Sequence, residues 1–417
     1  MMTAVSNGMV SVNGRSYRKP VTPTVVICFD GCDPRYISHG ISAGLLPNIS
    51  RIVSEGFYAI ADAAMPTFTN PNNMSIVSGA PPKVHGISGN CYLDKATGRE
   101  VMITDASLVS SGTILAALAD AGVRTAAITA KDKLRKMIGI GLKGICFSSE
   151  RARDANCDEN GIDEVEKLVG RSTPDMYSPD LSLFVLDAGI SLLEARRSEL
   201  LYLSLSDMVQ HSAAPGEELA DTFNKDVDER VGKMLEFGAI VGIVADHGMT
   251  DKCTPDGEPQ VVYLEETLND QFGAGSVRVI CPIADPFIKH HGALGSFVRV
   301  YATGSVPVQP LMDAAARIPG IALILDGEGA AARYELPVEQ EGDFIAIGAP
   351  HTAIGSRRDE HDLAGLNGKK LRSHGGLSEQ PVPFMLSRPL NAAYRAIVTS
   401  RRLRNFDIFD FALNGAV

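Results

Sequence analysis

Val25-Val26-Ile27-Cys28-Phe29-Asp30-Gly31 is an apolar, largely β-branched run that stops at a carboxylate followed by a glycine. Such a run reads as a strand buried on both faces, as parallel sheets require. The pattern recurs downstream. Arg124–Ala130 leads into Lys131-Asp132-Lys133, Leu200–Ser206 into Asp207, and Ala239–Ala245 into Asp246-His247-Gly248. Helical patterns lie between these runs. Leu46–Glu55 has Pro47 in its first turn and Leu46, Ile49, Ile52 and Val53 on one face. Thr113–Ala121 stops at Gly122, and Leu181–Arg196 follows. Glu217–Phe237 places Leu219, Phe223, Val227, Val231 and Leu235 at helical spacing. Strands alternating with amphipathic helices predict an α/β core, a mostly parallel sheet sandwiched by helices. Ligands of such sheets bind beyond the carboxyl ends of the strands. Strand ends tipped with Asp30, Lys131, Asp207 and Asp246 therefore predict one site at one sheet edge.

Outward from this core the texture changes. Residues 255–368 carry short strand-like runs at Val277–Ile280, Ser296–Tyr301, Ile321–Ile324 and Asp343–Ile347, with one helix around Gln309–Arg317. This predicts a smaller α+β insertion, placed by analogy as a cap over the site. The chain returns to the main sheet through Ser373-His374-Gly375-Gly376 and Pro383–Leu386, so the core comprises residues 21–254 and 369–417. Residues 1–20 are polar, lack an apolar segment of signal type and are expected to be a tail.

The 417 residues are 45% hydrophobic and 21% charged, which excludes disordered, collagen-like and coiled-coil classes. The length exceeds what one core usually spans. A net charge of −11 argues against nucleic acid as a partner. The apolar run Phe237–Ala245 is far shorter than the ~20 residues of a membrane helix. A soluble cytoplasmic protein is the expectation. Seven cysteines, an odd number without a CxxC pair, make no disulfide framework. Cys28 and Cys32 read as inert, reduced residues of a strand and a loop.

Several short motifs carry ligand chemistry. Asp207 and His211 stand four apart, so one helical turn brings both to one face; taken alone they read first as a hydrogen-bonded couple, and otherwise as two ligands of one ion. Asp246-His247-Gly248 offers two adjacent ligand types beside a glycine that lets the backbone bend, or an Asp cap beside an incidental His. His374 sits among glycines in a polar loop. Thr69-Asn70-Pro71-Asn72-Asn73 opens a short helix, Met74–Gly79. A hydroxyl there meets unpaired N–H groups that favour an alkoxide or a phosphate, or it is simply the helix cap.

Together, Asp30-Gly31, the Thr69–Asn73 segment, Asp207-x-x-x-His211, Asp246-His247-Gly248 and His374-Gly375 follow the order and rough spacing of the alkaline phosphatase superfamily. The chain resembles most its nucleotide pyrophosphatase/phosphodiesterase-like branch. Met74–Gly79 with Val84-His85-Gly86-Ile87 resembles the segment after the nucleophile there. The resemblance spans residues 25–250 and 370–390 and implies an alkaline-phosphatase-like core. It further implies two metal ions, one held by Asp207, His211 and His374, the other by Asp30, Asp246, His247 and the Thr69 hydroxyl, with Thr69 as the nucleophile. Mixed imidazole and carboxylate donors suit catalytic Zn²⁺, with Fe or Mn as alternative occupants.

Within the superfamily the chain is most similar to the phosphonoacetate hydrolases, through Asn90 and Lys131-Asp132-Lys133. That resemblance implies hydrolysis of a small phosphonate at its C–P bond. Thr69 would attack phosphorus, Asn90 would donate to a phosphonate oxygen, and Lys131 and Lys133 would hold the substrate carboxylate as carbanion charge moves into it. Otherwise both lysines are solvated loop charges. A homodimer is common among such enzymes. The alternatives are a phosphodiesterase or nucleotide pyrophosphatase, disfavoured by zero Trp and 6% aromatics, and a non-catalytic phosphate-binding relative, disfavoured by the intact Thr69 and ligand set. His39, His85, His290, His291, His351 and His361 are read as structural.

Overall fold

The computed structural model describes residues 8–284, 292–366 and 368–417. His290 and His291 lie outside the described residues. The main sheet has seven strands in the order Phe57–Asp62, Pro381–Leu386, Ile240–Val244, Thr24–Cys28, Leu200–Ser204, Thr125–Thr129, Ile145–Ser148. The last five of these are mutually parallel. Pro381–Leu386 runs antiparallel to both of its neighbours, so the sheet is mixed. Strands Thr24–Cys28 and Leu200–Ser204 are buried at every position, which is why they read as unbroken apolar runs. Helices including Pro47–Glu55, Asp180–Glu194 and Glu218–Glu236 cover the sheet. In the last of these the buried stripe runs through Ala220, Phe223, Val227, Val231 and Met234. Leu219, expected on that stripe, is 41% exposed, because it lies one position off the face that meets the sheet.

A second sheet is antiparallel, in the order Val277–Ile280, Phe297–Ala302, Phe344–Gly348, Ile321–Asp326. It has its own apolar cluster, including Phe297, Val300, Phe344 and Ile347. Met65 and Phe68 from the core segment insert into that cluster. The residue before Thr69 is thereby clamped between the two units.

The N-terminal stretch is not wholly a tail. Met9–Val12 and Arg15–Arg18 form an antiparallel hairpin with Tyr17 fully buried. Asn13 and Gly14 both take positive φ, 50° and 78°, the turn an Asn-Gly pair favours. Arg15 anchors the hairpin to Asp407 at 2.8 Å. All seven cysteines are free; only Cys157 is exposed. Among the described residues, no helix is long and apolar enough to cross a membrane.

Candidate metal centre and active site

The parallel strands deliver their terminal residues to one edge. Gly31, at φ +69°, turns the chain just after Asp30. A Cβ at this position would stand 3.0 Å from the Asp207 Cβ, so the glycine lets the two carboxylate loops close on each other. Gly375, at φ +113°, lets the His374 loop pass over Phe68, whose ring a Cβ would meet at 2.4 Å.

Three histidines share one arrangement. The Nδ1–H of His211 donates to the Arg372 carbonyl at 2.8 Å, that of His247 to the Gly248 carbonyl at 2.9 Å, and that of His374 to the Thr67 carbonyl at 2.7 Å. A carbonyl only accepts, so each Nδ1 carries a proton, and a ring with no second proton has its lone pair at Nε2. Those lone pairs face carboxylates. His211 Nε2 lies 2.9 Å from Asp207 Oδ2, His374 Nε2 lies 3.7 Å from the same oxygen, and His247 Nε2 lies 3.3 Å from Asp30 Oδ1. Asp30 Oδ1 is buried and has no hydrogen-bond partner among the described residues. Lone pairs converging on lone pairs are repulsive unless a cation lies between them. The pinned Nδ1 is the usual support of a metal-binding histidine.

The electrostatics agree. Burial, reinforced by Asp207 and Asp246, pushes Asp30 well above the usual carboxylate range. Burial also opposes charge on Asp207, but His211, His374 and His247 draw it well below. Burial, then His247 and His211, pushes His374 far down, so it is neutral. Among the described residues two groupings are close enough to hold an ion, Asp207/His211/His374 and Asp30/Asp207/His247. Asp207 therefore stands between them. Asp246 adjoins the second grouping, its Oδ2 3.8 Å from His247 Nε2. Its carboxylate is held by the N–H groups of Gly31 and His247 and by the Asn73 amide. The donor set, the orphaned oxygen and the pinned rings fit metal ions.

Thr69 opens the helix Thr69–Ser78, and the capping position falls to Phe68 without a side-chain cap. The Thr69 hydroxyl is thus not spent on capping. It lies 3.2 Å from His247 Nε2.

A cavity of about 620 Å³ opens onto this cluster, lined by Asp30, Thr69, Asn70, Asn90, Asp207, His211 and His374, and also by Lys131, Lys133, Met176 and Tyr177. Asn90 accepts from Asn70 and donates to the Ile283 carbonyl at 3.1 Å, which leaves one amide N–H for a ligand. Lys131 donates to the Met176 carbonyl at 3.2 Å, with its ammonium 5.4 Å from the Tyr177 ring centre. Asn73, Met176 and Tyr177 are site residues that sequence reasoning did not single out. Asn73 is visible only as part of the asparagine run after Thr69, and the loop bearing Met176 and Tyr177 has no pattern tying it to a strand end.

The other described histidines make their bonds elsewhere. His39 pairs with Asp221, and His85 is buried against Ser75 with its pKa lowered by burial to about 3. His351 bonds the Asp251 carbonyl, and His361 the Gly292 carbonyl.

This mixed sheet, with a cluster of imidazoles and carboxylates at its strand ends beside a threonine that opens a helix, has the alkaline-phosphatase-like fold. The family model for type I phosphodiesterase/nucleotide pyrophosphatase matches residues 24–291. The chain therefore belongs to that family, and within it to the phosphonoacetate hydrolases, as two further similarities show. Phosphonoacetate hydrolase from Sinorhizobium meliloti 1021, solved in complex with phosphonoformate and with phosphonoacetate, is 41% identical over 100% of both chains with a TM-score of 0.93. A phosphonoacetate hydrolase from Penicillium oxalicum is 53% identical over 53 residues, 12% of this chain and 74% of that one. Murine ectonucleotide pyrophosphatase/phosphodiesterase 5 shares the fold, with a TM-score of 0.62 at 17% identity over 93% of each chain.

Proposed function

We propose that this chain hydrolyses the C–P bond of phosphonoacetate, giving acetate and phosphate, with Thr69 as the nucleophile. The observation that carries this reading is one cavity lined both by Thr69 and the ligand cluster and by Lys131 and Lys133. A phosphonate group and a carboxylate one carbon apart need both kinds of group within one cavity.

Two zinc ions would be held by Asp207, His211 and His374, and by Asp30, Asp246, His247 and Thr69. When bound they would supply Lewis acidity that favours the ionised threonine and neutralises phosphonate charge. The N-terminus of Thr69–Ser78 adds unpaired N–H groups and the positive end of the helix dipole beside the same oxygen. Asn90 directs its remaining N–H at a phosphonate oxygen and turns phosphorus toward Thr69. The Thr69 Oγ1–P bond forms as the P–C bond breaks, and the threonine proton passes to solvent. The electron pair of the broken bond goes to carbon and spreads into the adjacent carboxylate. Lys131 and Lys133 meet that charge as it develops, which makes an otherwise poor leaving group competent. Proton uptake at carbon from solvent completes acetate. Water then attacks the phosphothreonine, releasing phosphate and restoring the hydroxyl.

The test is phosphate release by zinc-loaded protein from phosphonoacetate, run beside 2-aminoethylphosphonate and a nitrophenyl phosphodiester. Release from phosphonoacetate alone is the expected result. Turnover of the diester without the phosphonate would leave the cluster intact and return both lysines to solvated loop charges.

A further inference from the structure

Asn73 is fully buried four residues after Thr69, on the same helix. Its amide makes four hydrogen bonds. Nδ2 donates to the Thr69 carbonyl and to Asp246 Oδ2, each at 3.0 Å. Oδ1 accepts from the Tyr202 hydroxyl at 2.6 Å and from Ser204 Oγ at 2.8 Å. Both partners of Nδ2 are acceptors only, so the orientation of the amide is fixed by chemistry. Tyr202 and Ser204 are themselves fully buried on the strand Leu200–Ser204, three residues short of Asp207. Burial holds the Tyr202 phenol well above its usual pKa, so it remains a donor.

We infer that Asn73 is a positioning residue that locks Asp246 and the first turn of the Thr69 helix into one geometry, and so sets the affinity of the Asp30/Asp246/His247 ion site. The inference rests on the two-ion reading above. Asp246 Oδ1 accepts only backbone donors, from Gly31 and His247, and Asn73 fixes the other oxygen. That oxygen keeps one lone pair for an ion, and the amide decides where it lies. The Asp207-bearing strand is tied into the same lock through Tyr202 and Ser204.

The experiment is a zinc titration of the full chain against a competing chelator, resolving two binding steps, on the unaltered protein, Asn73→Leu, and the double variant Tyr202→Phe/Ser204→Ala. Outer partners of metal ligands typically set 10–100-fold in affinity. Asn73→Leu should weaken one step by about that factor and leave the Asp207/His211/His374 step unchanged. The double variant removes both orienting donors and should weaken the same step by a smaller factor, whether or not Asn73→Leu folds. A purely structural role would lower stability without separating the two steps. Unchanged affinity at both steps in the folded variants overturns the inference and spares the two-ion reading. Fewer than two ions on the unaltered protein overturns that reading, and the inference with it.

Discussion

Asp246 and His247 are wholly inaccessible and His374 is 3% exposed, each fixed by bonds to backbone or to a buried amide. In the same cavity Lys131 and Lys133 are half-buried, and the Tyr177 ring beside Lys131 is 64% exposed. The first surface holds groups whose mutual repulsion must be balanced before any substrate arrives, so its geometry is built from donors that do not move. The second presents long, flexible cations, which in the proposed function take up a carboxylate when it comes. A reacting centre and a recognition surface thus follow different rules within one cavity: rigidity where bonds change, adaptability where charge is gathered.

The sharpest way to break this contrast is at Thr69. Thr69→Ala removes one hydroxyl and its 3.2 Å contact with His247, and leaves the backbone bonds that hold the three histidines in place. It should lower kcat by on the order of 10⁴-fold or more, the scale of losing a nucleophile. A residual rate within tenfold of the unaltered protein, measured as phosphate release, would show that the rigid surface does not house the attacking group.

Next in size is the support beneath the ligand loops. Lys252 and Glu379 are a fully buried ion pair at 2.8 Å, and Glu379 also accepts from the Thr250 hydroxyl and, at 3.0 Å, from the Gly376 N–H. The Glu379 carbonyl accepts the Gly248 N–H at 2.7 Å. One residue therefore staples the His247 loop to the His374 loop. Lys252→Met leaves an unpaired charge in the interior and should cost about 3–5 kcal/mol in denaturant unfolding. Lys131→Met should leave that unfolding curve nearly unmoved, because its ammonium is not sealed from water. Equal losses from both substitutions would erase the distinction between the two surfaces.

That distinction also governs what could be read in advance. The cluster was legible because Asp30, Asp207, Asp246 and His247 closely follow apolar strands, and a parallel sheet collects its strand ends; His374 and Thr69 were legible only through their motifs. The N-terminal hairpin was hidden because its strands are short and bury only Val10 and Tyr17; only Asn13-Gly14 marks the turn. Leu219 matched a helical period yet sits outside the buried stripe, since periodicity fixes a spacing and leaves the stripe's edges to the tertiary contacts. Asn73 was invisible as a support for Asp246 because their contact joins residues 173 positions apart. The same holds for Met176, whose carbonyl meets Lys131 across 45 positions.

The smallest effects belong to the adaptable surface, and they separate by substrate. Lys131→Ala and Lys133→Ala should each raise KM for phosphonoacetate by roughly 10–100-fold, the range of one lost charge-assisted hydrogen bond. A phosphate ester without a carboxylate should be turned over no worse by either variant. Tyr177 sharpens the point further. Its ring lies 5.4 Å from the Lys131 ammonium at an exposed position, where such contacts contribute about 0.5–1 kcal/mol. Tyr177→Ala should therefore raise KM for phosphonoacetate by about two- to fivefold, with kcat and the carboxylate-free substrate unchanged. Tyr177→Phe keeps the ring and should restore the original KM. A drop in kcat in Tyr177→Ala would mean that this loop reaches the reacting centre, and that the recognition surface is not separate from the rigid one.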